Sequence, residues 1–558
     1  MTMSKNKISK IDRRKFLQRS LLGSAFVATG PVFARPFVTS RAAETLPAAL
    51  KPGTTISFEL EEATIAGLQD GMRSGRYTSC TVTEAYLHRI EEIDRHGPAL
   101  NSVIEINPDA LAIAEALDAE RKSKGPRGPL HGIPVLIKDN IATRDRMMTT
   151  AGSLALVGSV PPEDSFVARK LREAGAVIIG KTNLSEWANF RSTRSTSGWS
   201  GRGGQTLNPY VLDRNPCGSS SGSGVAVAAN LCAGAIGTET DGSIVCPSNA
   251  NGIVGIKPTI GLISRFGIIP IAHSQDTAGP MTRTVADAAL MLGALTGVDP
   301  QDSATGSSRG QSHADYSRFL DPEGLRGARV GIARNFFGFN ERVDKLMEAC
   351  ITEMKRQGAV IIDPANIPTA GSFDDSELEV LLYEFKADLN AHLAWLGSSS
   401  PVHSLRDIIE FNEKNREKEM PYFGQELFLQ AEEKGPLTSK AYRAALKKNH
   451  RLSRKEGIDA VMDGHRLDAI AAPAGGPAWN TDLINGDHFT GGSSTPAAVA
   501  GYPNIAVPAG FIHGLPVGIS FFGRACSEPV LIRIAYAFEQ ATKFRMAPKF
   551  SATADLHS

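Results

Sequence analysis

Two serine-containing runs in this sequence have the residue types that nucleophilic catalysis requires. Residues Cys217–Gly222, "CGSSSG", contain three adjacent serines, and a second run places Ser243 directly after Thr240–Gly242. A serine hydroxyl is a weak nucleophile and needs a neighbouring base to take its proton. Neither run contains a histidine, so any base must come from another part of the chain.

Three residues elsewhere in the sequence are candidates for the base. Lys138 ends the apolar run "IPVLI", and a lysine held at the end of a buried strand can lose its proton through desolvation. His131 and His273 are the alternatives, as the histidines nearest to the serines. "GSSSG" also matches the G-x-S-x-G nucleophile elbow around Ser220. That match is a poor one, because "LNPYVLDRNPC" before it does not resemble an apolar strand.

The turn before Ser243 has the small residues that an oxyanion hole needs. The consecutive backbone N–H groups of Thr240, Asp241, Gly242 and Ser243 can converge on a single oxygen. Glycine also lets the backbone approach a substrate closely. We therefore predict that these four N–H groups stabilise an oxyanion.

The composition is that of an ordinary globular protein. The chain has 558 residues, of which 42% are hydrophobic and 21% charged, and its formal net charge is +1. A charge near zero gives no reason to expect a nucleic-acid partner. After the N-terminal region, no uncharged apolar run approaches the ~18 residues typical of a transmembrane helix. We expect no nucleic acid and no stable membrane association; the oligomeric state stays open.

The N-terminal region has the features of an export signal. Arg13 and Arg14 precede Phe-Leu, and an uncharged stretch follows at Ser20–Ala34. This pattern resembles a twin-arginine signal, which a receptor reads to export folded proteins. We predict a signal at residues 1–34, with cleavage at that point or as late as Ala42, and a periplasmic or secreted protein. A basic N-terminal helix or a retained anchor is the alternative.

The cysteines give no pattern for a metal site or a redox motif. They are widely spread, without a C-x-x-C pair or a Cys/His cluster. Export would allow disulfides, but a chain of this length can form a core without them, so buried unpaired thiols are expected. The six positions are Cys80, Cys217, Cys232, Cys246, Cys350 and Cys526.

The elements that must position these residues follow an α/β pattern. "HGIPVLIKDN" (His131–Asn140) predicts a buried strand, and "FVARKLREAGAVIIGKTN" predicts a helix followed by a strand. The phrase "CITEMKRQGAVIIDPAN" repeats that order, which indicates a central sheet. Residues 373–463 are predicted to form a helical peripheral region, and core strands resume from Leu467.

Together these motifs resemble the amidase signature family. The matching block runs from Gly218 to Ala288, "HGIPVLIKDN" and "GKTNLSEWAN" match upstream, and "GYPNIAVPAG" matches downstream. "CGSSSGSG", "TETDGSIVCP" and "AGGPAWNTDLINGD" are similar to the bacterial peptide amidases within the family. The resemblance covers residues 57–549. It implies a single large α/β domain with a mixed central sheet covered by helices on both faces.

The resemblance also implies a mechanism without histidine, metal or cofactor. Ser243 matches the family's nucleophile, Ser219 the bridging serine that follows a cis peptide bond, and Lys138 the general base. By analogy, residues 187–202 and the loop "PAWNTDLINGD" are expected to form the substrate walls. The sequence differs from the family's commonest motif residues at Cys217, Glu239, Asp241 and Val245. None of these departures removes a catalytic side chain, although Asp241 puts the transfer of substrate detail in doubt.

The predicted function is therefore an exported amidase that releases ammonia from C-terminal peptide amides. Three alternatives stay open. The same residues could act on small aliphatic or aryl amides, esters or carbamates. The chain could be an amidotransferase subunit that supplies ammonia to a tRNA-bound acyl group, which the export signal argues against. It could also be a non-catalytic periplasmic binding protein, for which the three catalytic-type residues would have no use.

Overall fold

The computed structural model describes residues 58–556 of the chain, so the predicted signal at residues 1–34 lies outside the described part. The centre of the fold is an eleven-stranded mixed sheet with the order β1-β3-β2-β6-β8-β7-β12-β13-β11-β9-β10, and β4 and β5 form a separate hairpin. The strands are β1 Val103–Ile106, β2 Pro134–Lys138, β3 Val177–Thr182, β4 Trp199–Ser200, β5 Gly204–Gln205, β6 Gly234–Glu239, β7 Val254–Lys257, β8 Thr277–Thr282, β9 Arg329–Ile332, β10 Val360–Ile362, β11 Ala469–Pro473, β12 Asn504–Ile512 and β13 Leu515–Phe522.

Helices flank this sheet, and a group of them forms a layer at its periphery. The helices associated with the sheet are α1 Ile65–Arg73, α2 Ser79–Arg89, α3 Ala110–Lys124, α4 Phe166–Glu173, α5 Ser221–Ala228, α6 Val245–Ala250, α7 Val285–Leu295, α8 Glu341–Arg356, α15 Thr495–Ala500 and α16 Glu528–Thr542. The peripheral helices are α9 Asp374–Leu396, α10 Leu405–Lys414, α11 Arg416–Glu419, α12 Glu426–Glu432, α13 Lys440–His450 and α14 Asp459–His465.

The strand that ends at Lys138 lies in the middle of the parallel part of the sheet. β2 pairs in parallel with β3 on one side and with β6 on the other. All five of its residues are buried. Since successive side chains of a strand point to opposite faces, both faces of the sheet are covered here. The predicted buried strand and the mixed α/β architecture are confirmed.

The two predicted helix–strand units and the peripheral helices are also present. The first unit is α4 followed by β3, and the second is α8 followed by β10. Within the described residues, α9, α10 and α12 of the peripheral helices share a hydrophobic cluster with the segment that follows β3. This cluster includes Trp187 and Phe190 from that segment, and Phe385 and Phe428 from α9 and α12. No helix in residues 58–556 is long and apolar enough to cross a membrane.

Candidate active site

Lys138 is completely buried, and it contacts one of the three adjacent serines. Its Nζ lies 2.7 Å from Ser219 Oγ, 2.9 Å from Thr238 Oγ1 and 3.2 Å from the Thr238 carbonyl oxygen. Thr238 belongs to β6, the strand beside β2. A neutral lysine amine has two N–H donors and one lone pair. Thr238 offers acceptors for both N–H groups, so the Ser219 hydroxyl is left to donate to the lone pair.

The surroundings of Lys138 favour this neutral form. Burial lowers its pKa to about 7, against smaller opposite effects from the carboxylates of Asp276 and Glu239. Neither carboxylate forms an ion pair with the amine within the described residues. Desolvation therefore outweighs charge, because removing a lone ammonium from water without a contacting counter-ion is costly.

Ser219 follows a cis peptide bond from Gly218, as the resemblance implies. An added Cβ at Gly218 would lie 2.1 Å from Ser185 Oγ, so a larger residue here would force the Ser185 side chain to move. The next residue, Ser220, connects this segment to the second serine run. Its N–H donates to the Ser243 carbonyl oxygen at 3.1 Å. The Ser220 hydroxyl is buried and donates to the Thr238 carbonyl at 3.0 Å, which does not suit the nucleophile of an elbow.

The turn that carries Ser243 lies between the end of β6 and the start of α6. Gly242 has a φ of 77°, a backbone conformation that residues other than glycine rarely adopt. Glu239 Oε2 accepts hydrogen bonds from the N–H groups of Ile244 and Val245 at 2.6 and 2.9 Å, which fixes the start of α6. Ser243 itself is 7% exposed, so its side chain lies at the edge of the buried region.

The backbone of this turn keeps free hydrogen-bond donors. Within residues 58–556, no protein group accepts a hydrogen bond from the N–H of Asp241, Gly242 or Ser243. Such donors in a nearly buried turn would be costly without a partner, so they are suited to a substrate oxygen.

Three sets of side chains hold the turn in place. Thr240 Oγ1 donates to Asp276 Oδ1 at 2.5 Å. The Asp241 carboxylate accepts hydrogen bonds from Ser494 and Thr495 at 2.6 and 2.7 Å. The third set acts on the Thr240 carbonyl oxygen, which accepts a hydrogen bond from Gln275 at 3.3 Å. Sequence reasoning did not single out Thr238, Gln275 and Asp276, although the last two lie in the phrase "SQDTAGP" of the matching block.

Neither candidate histidine contacts these residues. His131 is buried, with its Nε2 2.9 Å from the Leu117 carbonyl oxygen and its Nδ1 accepting from the Arg127 N–H. His273 lies against α9, with its Nδ1 2.8 Å from Asp388 Oδ2. Together with Glu384, these two side chains form the one group in residues 58–556 whose donor atoms could hold a metal ion. The prediction that the enzyme uses no metal is not tested by this arrangement.

The expectation of unpaired thiols is wrong for two of the cysteines. Cys217 and Cys246 form a disulfide, with Cα atoms 5.9 Å apart and a sequence separation of 29 residues. The fold brings them together because Cys217 lies shortly before Ser219, and Cys246 lies on α6, shortly after Ser243. Neither sulfur is therefore available as a nucleophile. Cys80, Cys232, Cys350 and Cys526 are free, as expected, although Cys80 and Cys526 are half-buried and not buried.

The two loops expected to form the substrate walls are joined to each other. Asp487 accepts hydrogen bonds from the N–H of Ser197 at 3.0 Å and from its hydroxyl at 2.5 Å. The N–H of Asn215, just before Cys217, donates to the Trp479 carbonyl oxygen at 2.7 Å. The loop at residues 478–488 therefore lies beside the segment that leads to Ser219.

Known proteins share this sequence and fold over most of the chain. The family model Amidase matches residues 81–532. A crystal structure of the peptide amidase PAM in complex with the competitive inhibitor chymostatin is 52% identical, has a TM-score of 0.86, and covers 88% of this chain and 100% of that chain. A "Probable amidase" of Arabidopsis thaliana is 46% identical over 505 residues, which cover 89% of this chain and 93% of that protein. A glutamyl-tRNA(Gln) amidotransferase subunit of Thermoanaerobacter pseudethanolicus is 34% identical over 508 residues, covering 88% and 99%.

The chain therefore belongs to the amidase family, as its resemblance to the amidase signature proteins predicts. It is a serine hydrolase that cleaves amides, with the mixed α/β fold of that family.

Proposed function

We propose that this amidase hydrolyses C-terminal carboxamides of peptides and releases ammonia, using Ser243, Ser219 and Lys138. The observation that carries the proposal is the 2.7 Å contact between Lys138 Nζ and Ser219 Oγ inside a buried site. A base held next to a bridging hydroxyl needs no histidine. The similarity to the peptide amidase PAM supports a peptide amide as the substrate.

In the first half of the reaction, a proton moves along the three side chains as a covalent bond forms. Ser243 Oγ attacks the carbonyl carbon while its proton passes to Ser219 Oγ, and the Ser219 proton passes to Lys138 Nζ. The carbonyl oxygen becomes an oxyanion, which the N–H groups of Thr240–Ser243 stabilise. The C–N bond then breaks, the relay returns a proton to the leaving nitrogen, and ammonia departs.

In the second half, water completes the hydrolysis. A water molecule attacks the acyl ester on Ser243 and gives a proton to the same relay. The ester C–O bond breaks, Ser243 regains its proton, and the carboxylic acid product leaves. Atoms and protons balance over the cycle, so no cofactor is required.

Ammonia release by the purified protein tests this proposal. The panel contains peptide amides, the corresponding free peptides, simple aliphatic and aryl amides, and esters. Peptide amides should give the highest kcat/KM and stoichiometric ammonia. A higher kcat/KM on simple amides or esters would favour the alternative substrate class, while no turnover of any compound would favour a binding protein. Ammonia transfer to acyl-tRNA would favour the amidotransferase alternative.

We further propose that the protein acts outside the cytoplasm, after export directed by Arg13 and Arg14. The Cys217–Cys246 disulfide supports this proposal, because disulfides persist in oxidising compartments. Replacing both arginines with lysines should leave the precursor in the cytoplasm, as measured by cell fractionation. Unchanged appearance of the double variant in the periplasm would rule out a twin-arginine signal.

A further inference from the structure

Two buried side chains outside the proposed relay are linked to the oxyanion turn, one directly and the other through the first. Gln275 Nε2 donates to the Thr240 carbonyl oxygen at 3.3 Å and to Glu377 Oε1 at 2.8 Å. Gln275 is 1% exposed and Glu377 is 8% exposed. We propose that Gln275 and Glu377 are positioning residues that direct the Asp241 N–H toward the substrate oxygen. This inference rests on the proposed function, since it requires an oxyanion at the turn.

The geometry of a peptide bond makes the contact with Thr240 decisive. The carbonyl oxygen of Thr240 and the N–H of Asp241 belong to the same planar peptide unit. This unit is not among the cis peptides of the chain, so the two groups point in opposite directions. A donor that holds the oxygen on one side therefore fixes the N–H on the other side. That N–H has no acceptor within the described residues, which leaves it for the substrate.

Glu377 determines which end of the Gln275 amide faces Thr240. A glutamine amide has two N–H donors and one oxygen, and rotation by half a turn would present the oxygen instead. With one N–H bonded to Glu377 and the other to Thr240, the amide nitrogen is fixed between two acceptors. Without Glu377, only the longer contact with Thr240 at 3.3 Å would restrain the amide, and rotation away from it would leave the Thr240 carbonyl without this donor.

The position of Glu377 connects the peripheral helices to the oxyanion turn through the Gln275 side chain. Glu377 lies in the first turn of α9, and its N–H donates to the Phe373 carbonyl oxygen at 2.8 Å. Burial, together with the negative charges of Asp241 and Asp374, raises the pKa of Glu377 well above its usual range. A neutral carboxyl group is matched in shape and acceptor capacity by glutamine. The variant Glu377→Gln should therefore preserve the contact that Glu377→Ala removes.

The test compares kcat and KM for Glu377→Ala, Glu377→Gln and Gln275→Met with those of the wild type. Loss of an oxyanion-hole donor costs about 10²–10³-fold in kcat, and a misdirected donor should cost about 10- to 100-fold. We expect this fall in kcat, with little change in KM, for Glu377→Ala and Gln275→Met. Glu377→Gln should stay within about threefold of wild type. Glu379→Ala is the control, since Glu379 lies on the same helix but pairs with Lys434 at 2.7 Å.

A second measurement distinguishes a misdirected oxyanion donor from a general loss of protein stability. A peptide aldehyde forms a tetrahedral adduct with an oxyanion, whereas the matching peptide alcohol does not. The inhibition constant of the alcohol divided by that of the aldehyde should fall by the same factor as kcat in the two disruptive variants, and it should be unchanged in Glu379→Ala. Gln275→Met keeps the side-chain volume, so it provides the result if Glu377→Ala fails to fold.

If folded Gln275→Met kept the wild-type kcat and the wild-type alcohol-to-aldehyde ratio of inhibition constants, the inference would be overturned. The comparison can use any amide or ester that the wild type hydrolyses. Failure of the wild type on peptide amides would therefore count against the proposed substrate alone, and not against the role of Gln275.

Discussion

Lys138 makes the pH dependence of the enzyme predictable. Its pKa of about 7 lies below that of an ordinary lysine, so the amine is protonated and without a lone pair only below about pH 7. We expect kcat/KM to fall about tenfold per pH unit below that value and to reach a plateau above it. A pH profile between about 5 and 9 measures this. In Lys138→Met the remaining rate should be about 10²–10⁴-fold lower and should lack this limb.

Another buried group near the turn could produce a similar acidic limb. Asp276, which holds Thr240, has its pKa raised to about 6, mainly by burial. The variant Asp276→Asn therefore serves as the control: it should keep the limb, moved to lower pH because the Asp276 carboxylate raises the pKa of Lys138. His131→Ala and His273→Ala should keep it as well. If a histidine variant lost the limb while Lys138→Met kept substantial activity, a Ser-His mechanism would replace the proposed relay.

Replacement of Ser243 tests the nucleophile. Ser243→Ala should lower kcat by about 10⁴-fold or more, as removal of a nucleophilic serine does in other hydrolases. Ser220→Ala is the matched control, because it removes a neighbouring hydroxyl that donates to the Thr238 carbonyl. We expect the control to lose stability and to retain kcat within about tenfold. Equal losses in the two variants would contradict the assignment.

Cys217 and Cys246 connect the segment before Ser219 with the helix after Ser243. Closing a loop of 29 residues stabilises the folded state by about 3–4 kcal/mol. The double variant Cys217→Ser/Cys246→Ser should therefore unfold at a lower urea concentration, with its free energy of unfolding reduced by this amount. A reductant should have the same effect on wild type and no effect on the double variant. Cys350→Ser, which changes a free buried thiol, should still respond to the reductant.

The sequence predicts those elements whose formation depends on neighbouring residues. The strand ending at Lys138 and the α4–β3 unit follow from short patterns of apolar residues and glycine. The disulfide does not, since its two halves meet only when both serine runs pack together. Glu377 could not be assigned either, because it lies over a hundred residues after the turn and on a helix whose charged residues suggest a solvated surface. The catalytic roles of Ser243, Ser219 and Lys138 were predicted from the resemblance to the family's sequence motifs and not from the spacing of the three residues.

A buried ion pair attaches the peripheral helices to the rest of the molecule. Arg191 Nη1 lies 3.0 Å from Glu186 and 3.9 Å from Glu419, which is the last residue of α11, and all three side chains are fully buried. The guanidinium also lies 4.4 Å from the ring centre of Phe423. Burial raises the pKa of both glutamates. The arginine thus supplies the positive charge between two carboxyl groups.

Removal of this arginine should weaken the attachment of the whole layer. Arg191→Met leaves two buried carboxyl groups without their cation, and we expect a loss of about 3–5 kcal/mol in the free energy of unfolding. Hydrogen exchange should increase first in α11 and α12. As a control, Arg406→Met removes an exposed partner of Glu432 and should cost about 1 kcal/mol or less. Equal losses of unfolding free energy in the two variants would contradict a stabilising role for the charge of Arg191.

The disulfide also implies an order of events in the life of the molecule. On the proposed twin-arginine route, the chain folds in a reducing compartment before it crosses the membrane. The backbone around Ser219 and Ser243 must then reach its final arrangement while both sulfurs are still thiols, with the folded protein serving as the template that selects the correct pair. On that proposed route, covalent closure would come last, after transport, and the same polypeptide would exist in two forms: a cytoplasmic dithiol, and an external form made more resistant to unfolding by a single oxidation.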